Sequence, residues 1–386
     1  MDFLSNRLQK RKEDGLLRKL SFTDSAAIDF SSNDYLGFAK RKELWEPENL
    51  DKYGSTGSRL LTGNDAITEE TEAYIANFHQ VETGLIFNSG YDANTGLFSC
   101  VAGKDDTIIY DEYCHASIKD GARLSLAKHY SFRHNDLEHL ESKIKRAEGN
   151  NIFVAIESVY SMDGDTADLK GLVALAERYK HVHLIVDEAH ATGVFGDRGQ
   201  GLVQHLGLEN HFFARIHTFG KALGCQGAVV LGSHLLRDYL INFSRPFIYT
   251  TALPLPNILA VKRAYQLLQS EDKSIQLLKD RIRYFNEKVS SSGIKNIITN
   301  QSAIQVMIIP GNDNARYAAK HLQSKNFDVR PVLSPTVPIG KERLRICIHS
   351  YNTESEIDGL VDELSLLNRI INPEGPPGQA IRTGMT

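Results

Sequence analysis

Asp187, His190 and Lys221 are the side chains of this sequence best placed to do chemistry together. Asp187 and His190 end the stretch His183-Leu-Ile-Val-Asp-Glu-Ala-His190, in which Leu184 to Val186 read as a buried parallel strand. Such a strand delivers its last residues to the edge where open α/β sheets place their ligands. Lys221 follows in Thr218-Phe-Gly-Lys-Ala-Leu-Gly224, where Gly220 and Gly224 let the backbone bend close to a neighbour. Phe219, Ala222 and Leu223 make its surroundings apolar, and a lysine so placed can be nucleophilic at neutral pH and form a Schiff base. A carboxylate, an imidazole and a lysine suit a cofactor whose ring nitrogen, ring oxygen and aldehyde each need a partner. Each also has a plain reading alone: Asp187 as a helix cap, His190 as a packed surface histidine, Lys221 as a solvated lysine.

Three further strand ends carry polar groups. Asn88-Ser-Gly-Tyr-Asp-Ala-Asn94 ends a strand and opens a helix, so the backbone at Gly90 and Tyr91 forms either an anion site or an ordinary turn. His115 follows the apolar run Thr107 to Tyr110 and is either a helix-start residue or an aromatic plane on which a ring stacks. Glu157-Ser-Val-Tyr-Ser-Met-Asp-Gly-Asp165 ends another run and offers the Ser161 hydroxyl.

The elements that must carry these groups alternate. Strands are expected at 84–87, 107–110, 152–156, 182–186, 214–217 and 228–231, with helices at 68–80, 115–122, 135–147 and 169–179. This rhythm predicts a mostly parallel sheet flanked by helices. Beyond Pro254 and Pro256, long helices at 258–269 and 274–289 precede strands at 303–308, 329–332 and 344–348, a smaller α+β unit. Residues 3–20 place Phe3, Leu4, Leu8, Leu16, Leu17 and Leu20 among basic residues, an amphipathic helix that packs on a neighbour. The domain expectation is a helical segment at 1–37, a large domain at 38–256, a small one at 257–371 and a disordered tail at 372–386.

Composition removes several classes. The 386 residues carry a formal charge of −4 and a pI of about 6.4, which gives no electrostatic case for nucleic acid or an anionic membrane. Cys100, Cys114, Cys225 and Cys347 form no C-x-x-C pair, so neither a zinc site nor a disulfide framework is expected, and no metal is predicted. No apolar run is long enough to span a membrane and the N-terminus lacks a secretory pattern, so a cytoplasmic protein is expected. Asp187-Glu-Ala-His190 is also the Mg²⁺-binding box of one class of ATP-driven helicases. That reading needs an upstream G-x-x-x-x-G-K-[ST] loop, and none occurs.

Taken in order, the motifs resemble the pyridoxal-phosphate enzymes of the α-oxoamine synthase family. They are Asn33-Asp-Tyr-Leu-Gly37, Gly54-Ser-Thr-Gly-Ser-Arg-Leu-Leu-Thr-Gly-Asn64, Ser89 to Asn94, Asp111-Glu-Tyr-Cys-His-Ala-Ser117, Ser161 to Asp165, Asp187 to Gly193, Thr218 to Gly224 and Arg245 to Pro254. The resemblance implies a type I aminotransferase fold and a homodimer with active sites at the subunit interface. It implies that Lys221 holds pyridoxal 5'-phosphate through a Schiff base, Asp187 pairs with the pyridine nitrogen, and His190, helped by Ser161, pairs with the ring oxygen. His115 stacks on the ring. Gly90, Tyr91 and Thr218 hold the phosphate, joined by Thr251 or Thr250 of the other subunit, and Asn33 and Arg345 hold the amino acid's carboxylate. The implied reaction is a decarboxylative condensation of an amino acid with an acyl thioester. The motifs are nearest to members that join L-alanine to pimeloyl-CoA or a pimeloyl carrier protein, with glycine plus acetyl-CoA as the alternative pair. Glu188 is expected to have no chemical task.

Overall fold

The structure, a computed structural model, describes residues 2–20, 22, 26–46, 49–270 and 272–371. The tail expected at 372–386 lies outside the described residues.

A seven-stranded sheet organises the chain. Its strands are β2 (Thr83–Phe87), β3 (Thr107–Asp111), β4 (Lys128–Phe132), β5 (Ile152–Glu157), β6 (Val182–Asp187), β7 (Ala214–Thr218) and β8 (Ala228–Gly232), preceded in sequence by the two-residue strand β1 (Ile28–Asp29). The spatial order is β2-β8-β7-β6-β5-β3-β4. The run from β7 to β4 is parallel, while β8 is antiparallel to both β7 and β2.

Side chains of a strand alternate between faces, and both faces of this sheet are covered. Phe153, Ala155 and Ile185 point into a core with Leu97, Phe98 and Ile118 of the helices Gly90–Val101 and Ala116–Leu124. Val154, Ile156, Leu184 and Val186 point into the opposite core with Leu140, Ile144 and Leu172 of the helices Leu137–Arg146 and Leu169–Ala176. Each such aliphatic side chain contributes about 1.5–3 kcal/mol on burial, which holds β5 and β6 in register.

Strand β4 was not among the expected strands. It lies at the sheet edge, and its first four residues are exposed, so no apolar alternation marks it. The amphipathic helix expected over 3–20 runs only from Asp2 to Glu13. Gly15 adopts φ +66°, a left-handed conformation that ends helices, so Leu16, Leu17 and Leu20 lie beyond it. None of that helix's residues is buried within the chain.

The C-terminal part forms an antiparallel sheet from β9 (Ile297–Ile298), β10 (Ile304–Ile308), β12 (Arg330–Val332) and β13 (Arg343–Cys347), in the order β12-β13-β10-β9. Strand β11 (Phe327–Asp328) pairs in parallel with β1. That pairing brings the segment after Asp29 across to β13, where Cys347 N donates to Phe30 O at 2.8 Å. Helices Asn312–Ser324 and Glu354–Ile371, which were not expected, supply Ala315, Ala319, Leu360 and Leu364 to the core beside this sheet.

Candidate active site

Parallel strands end level with one another, so β5 and β6 place Glu157 directly opposite Asp187. Both are buried. Asp187 is held from two sides: Ala189 N donates to Oδ1 at 2.8 Å and Asn94 Nδ2 donates to Oδ2 at 2.7 Å. Asn94 lies one turn into the helix Gly90–Val101 and also donates to Ser117 Oγ at 3.1 Å. Glu157 accepts a hydrogen bond from the backbone N–H of His115. Burial, followed by repulsion from Asp187, pushes the Glu157 carboxyl up to about 8 against the pull of Lys221. The two carboxyls therefore do not carry two full charges at neutral pH.

Lys221 lies in the turn after β7. That turn is closed by Cys225 N donating to Phe219 O at 2.8 Å and Gly224 N donating to Lys221 O at 2.9 Å. Gly224 has φ +61°, and a Cβ there would sit 2.2 Å from Ala39 N, so only glycine lets the lysine turn seat against the 38–39 backbone. Burial lowers the Lys221 pKa below the usual lysine range, although Asp187 and Glu157 oppose the shift. A larger share of the amine is thus neutral and nucleophilic.

His190 is buried, with Nδ1 2.7 Å from the Tyr35 hydroxyl. Burial, reinforced by the charges of Lys221 and Arg345, lowers its pKa well below the ordinary value, so the ring is neutral. Tyr35 also donates to Asn33 Oδ1 at 3.1 Å, which receives Arg345 Nη2 at 3.0 Å, and Arg345 Nε donates to Ser161 O at 2.7 Å. One polar chain therefore links His190, Tyr35, Asn33, Arg345 and Ser161. His115 caps the helix Ala116–Leu124, its Nδ1 accepting from Ser117 N at 3.2 Å and lying 2.8 Å from Ser117 Oγ. With Nδ1 an acceptor, the ring proton sits on Nε2.

At the N-terminus of the helix Gly90–Val101, Ser89 Oγ accepts from Asp92 N at 3.0 Å. A Cβ on Gly90 would lie 3.5 Å from Thr218 Oγ1, so that hydroxyl stands beside the helix N-terminus, whose first backbone N–H groups are suited to cradle an anion. Tyr91 is exposed, its hydroxyl donating to Asp120 Oδ2 at 2.6 Å. Thr251 is exposed and meets the cradle through its carbonyl, which accepts from Asn88 Nδ2 of the same chain at 2.8 Å, while Thr250 Oγ1 accepts from that amide at 3.1 Å.

Glu157, Asn94, Tyr35 and Ser117 were not singled out as site residues in the sequence. Glu157 carried a usable signal, because it ends the apolar run Ile152 to Ile156 just as Asp187 ends its own. Glu188 turns away from Asp187: it is fully buried and accepts from Leu202 N at 3.0 Å and Val203 N at 3.2 Å. Burial pushes its carboxyl up to about 7. Burial likewise raises the Cys225 thiol to about 12, which keeps it unreactive beside the lysine turn. No group of three metal-binding side chains occurs among the described residues.

The model of the family described as aminotransferase class I and II matches residues 25–364. The 8-amino-7-oxononanoate synthase of Emericella nidulans is 42% identical, with 94% of this chain and 95% of that one covered. A solved 8-amino-7-oxononanoate synthase from Francisella tularensis superimposes with a TM-score of 0.77 at 30% identity, covering 89% of this chain and 98% of the other. A serine palmitoyltransferase from S. paucimobilis, solved with a PLP-myriocin aldimine, reaches a TM-score of 0.86 at 27% identity and covers 96% and 98%. None of these favours the ATP-driven alternative. The chain belongs to the aminotransferase class I and II family, within the α-oxoamine synthases that its motifs resemble.

Proposed function

We propose that this chain catalyses the decarboxylative condensation of L-alanine with a pimeloyl thioester, releasing CO₂ and the free thiol and yielding 8-amino-7-oxononanoate. The observation that carries the reaction class is the convergence of Lys221, Asp187, His190 and Thr218 on one sheet edge. The relative of 42% identity over nearly the whole chain supports the substrate pair.

The donor set suits pyridoxal 5'-phosphate. The cradle at Gly90 and Thr218 takes a dianion, and the neighbouring strand ends offer a carboxylate, a neutral imidazole and an amine. When bound, this cofactor supplies an aromatic ring that accepts charge developing at the amino acid's Cα.

Asp187, oriented by Asn94, would keep a proton on the pyridine nitrogen of a bound cofactor. Lys221 would hold the cofactor at its aldehyde, and its amine, when free, would serve as the base and acid at the amino acid's Cα. Arg345 and Asn33 receive the substrate's carboxylate, which suits the planar guanidinium fork. His115 would lie against the cofactor ring, and His190 and Ser161 would serve its ring oxygen. Thr251 or Thr250 of a second copy completes the phosphate site in a homodimer, and the cytoplasm is the proposed compartment. Among the described residues no helix is long and apolar enough to cross a membrane.

The test is thiol release by the purified protein with alanine plus pimeloyl-CoA against glycine plus acetyl-CoA. Faster turnover of the first pair is expected, and preference for the second overturns the substrate assignment. Lys221→Ala should bind the cofactor without the visible band of the lysine adduct. A band that survives the substitution overturns the role of Lys221.

A further inference from the structure

His134 lies behind two of the segments that present cofactor-facing groups. Its Nδ1 is 3.1 and 3.2 Å from the two oxygens of Asp111, and its Nε2 is 2.8 Å from Asp165 Oδ2. A carboxylate can only accept, so both ring nitrogens must carry protons and the ring is an imidazolium. Tyr113 stacks on it at 4.4 Å, a face that favours a cation, and Tyr160 packs at right angles to it at 4.4 Å. Asn135, next in sequence, repeats the bridge: its N–H donates to Asp111 Oδ2 and its side chain to Asp165 Oδ2, both at 2.9 Å.

The two carboxylates belong to different parts of the site. Asp111 ends β3 and accepts from Tyr113 N at 2.8 Å, which sets the turn leading to His115. Asp165 closes the loop that carries Ser161, with Tyr160 N donating to Asp165 O at 2.9 Å and a bridge between Val159 and Thr166. The far side of that loop is held by the C-terminal unit. Asn300 Nδ2 donates to Asp163 O at 2.6 Å, Ser302 Oγ donates to Gly164 O at 2.7 Å, and Arg343 pairs with Asp163.

We propose that His134 is a positioning residue whose imidazolium clasps Asp111 and Asp165 and so fixes the His115 turn and the Ser161 loop in one arrangement. Its effect on cofactor binding rests on the function proposed above. The charges around the ring are Asp111, Asp165 and Glu112, whose Oε1 accepts His134 N. Cations on the adjoining segments are engaged elsewhere: Arg133 pairs with Asp136, Arg343 with Asp163, and Lys119 Nζ donates to Glu112 O at 2.6 Å. Burial would lower the imidazole pKa, but the hydrogen bonds and charges of Asp111 and Asp165 raise it to about 9. The clasp is closed at neutral pH and opens above that value.

The ring Cε1–H resonance of His134, identified as the one missing from His134→Gln, should titrate with a midpoint near 9 in the cofactor-free chain. A midpoint at the ordinary histidine value overturns the clasp. The Kd for pyridoxal phosphate, followed by fluorescence, should be about tenfold weaker in His134→Gln at neutral pH, as loss of a charged hydrogen bond implies. The variant should also lose part of the alkaline weakening expected of the wild type, whereas titration of Lys221 affects both proteins alike. Equal Kd values at every pH overturn the proposal. Should His134→Gln not fold, Asp165→Asn keeps the ring and its Asp111 arm. That variant must lower the midpoint and weaken the cofactor, and an unchanged midpoint overturns the clasp. A wild-type chain that binds no pyridoxal phosphate refutes the proposed function instead, and the imidazole midpoint still decides the clasp.

Discussion

Glu157 and Asp187 stand opposite one another at the ends of adjacent parallel strands, and the protein accommodates the pair by keeping Glu157 protonated near neutral pH. Asp187 is thereby spared a second buried charge at its side. Its Oδ2 is already ordered by Asn94, so the carboxylate needs no rearrangement to meet a cationic ring nitrogen.

Glu157 holds its proton up to about 8, whereas an unfolded glutamate releases it near 4.5. Between those values the native chain binds a proton that the unfolded chain lacks, so stability falls as pH rises through the window. Glutamine is neutral in both states. Thermal melts of the cofactor-free Glu157→Gln variant should therefore decline less with pH across this range than those of the wild type. Parallel declines would show that Glu157 is ionised in the folded chain.

Asp187 and its sequence neighbour Glu188 should separate cleanly by readout. Asp187→Asn removes the anion at the ring nitrogen and should lower kcat on the order of 10²–10³-fold, the range for losing one preorganised electrostatic partner. Glu188→Gln should leave cofactor titrations unchanged. It replaces an oxygen that faces the Leu202 and Val203 N–H groups, so it should cost about 1–2 kcal/mol in a denaturant melt. Loss of cofactor binding in Glu188→Gln would contradict the geometry.

Tyr35→Phe tests the polar chain from His190 to Arg345. The lost hydroxyl leaves His190 Nδ1 without its 2.7 Å partner in a buried setting, which should cost about 1–3 kcal/mol of stability. It also removes one of the two donors that hold Asn33 Oδ1, so the KM for the amino acid should rise. A variant with wild-type KM and melting temperature would mean that the chain does not transmit.

Gly224→Ala should be far more damaging than Gly207→Ala, although both glycines adopt a left-handed φ. At Gly207 an added Cβ meets nothing within 4 Å, so only the conformational cost of about 1–2 kcal/mol applies. At Gly224 it would strike the backbone of Phe38 and Ala39, displacing the Lys221 turn. Denaturant melts of both variants, with the fraction of protein carrying covalently held cofactor, check the contrast. Equal losses would show that the turn adapts.

Much of the sheet was legible in sequence because its strands are buried on both faces and so leave continuous apolar runs, as at Ile152–Ile156 and Leu184–Val186. The same physics explains what was missed. Strand β4 is an exposed edge with no such run, and helix Asn312–Ser324 buries only a narrow stripe headed by alanines. Lys221, Asp187 and His190 stood out because chemically able residues directly follow apolar runs or lie between glycines. Asn94, Tyr35 and His134 carried no comparable mark, since an asparagine inside a helix or a histidine after an edge strand is ordinary in isolation.

Local patterns, a strand period of two and glycines where the backbone must turn closely, already placed Asp187, Thr218 and Lys221 on one sheet edge. Those signals are short-range, and a parallel sheet aligns its strand ends whatever the loops do. Distance along the chain hides the rest. Arg345 meets Asn33 across 312 residues because β1 pairs with β11, and His134 reaches Asp165 across 31 because β4 and the Ser161 loop flank one strand end. That buried Glu157 keeps its proton depends on desolvation and on neighbours such as Asp187 and Lys221 that only packing brings together.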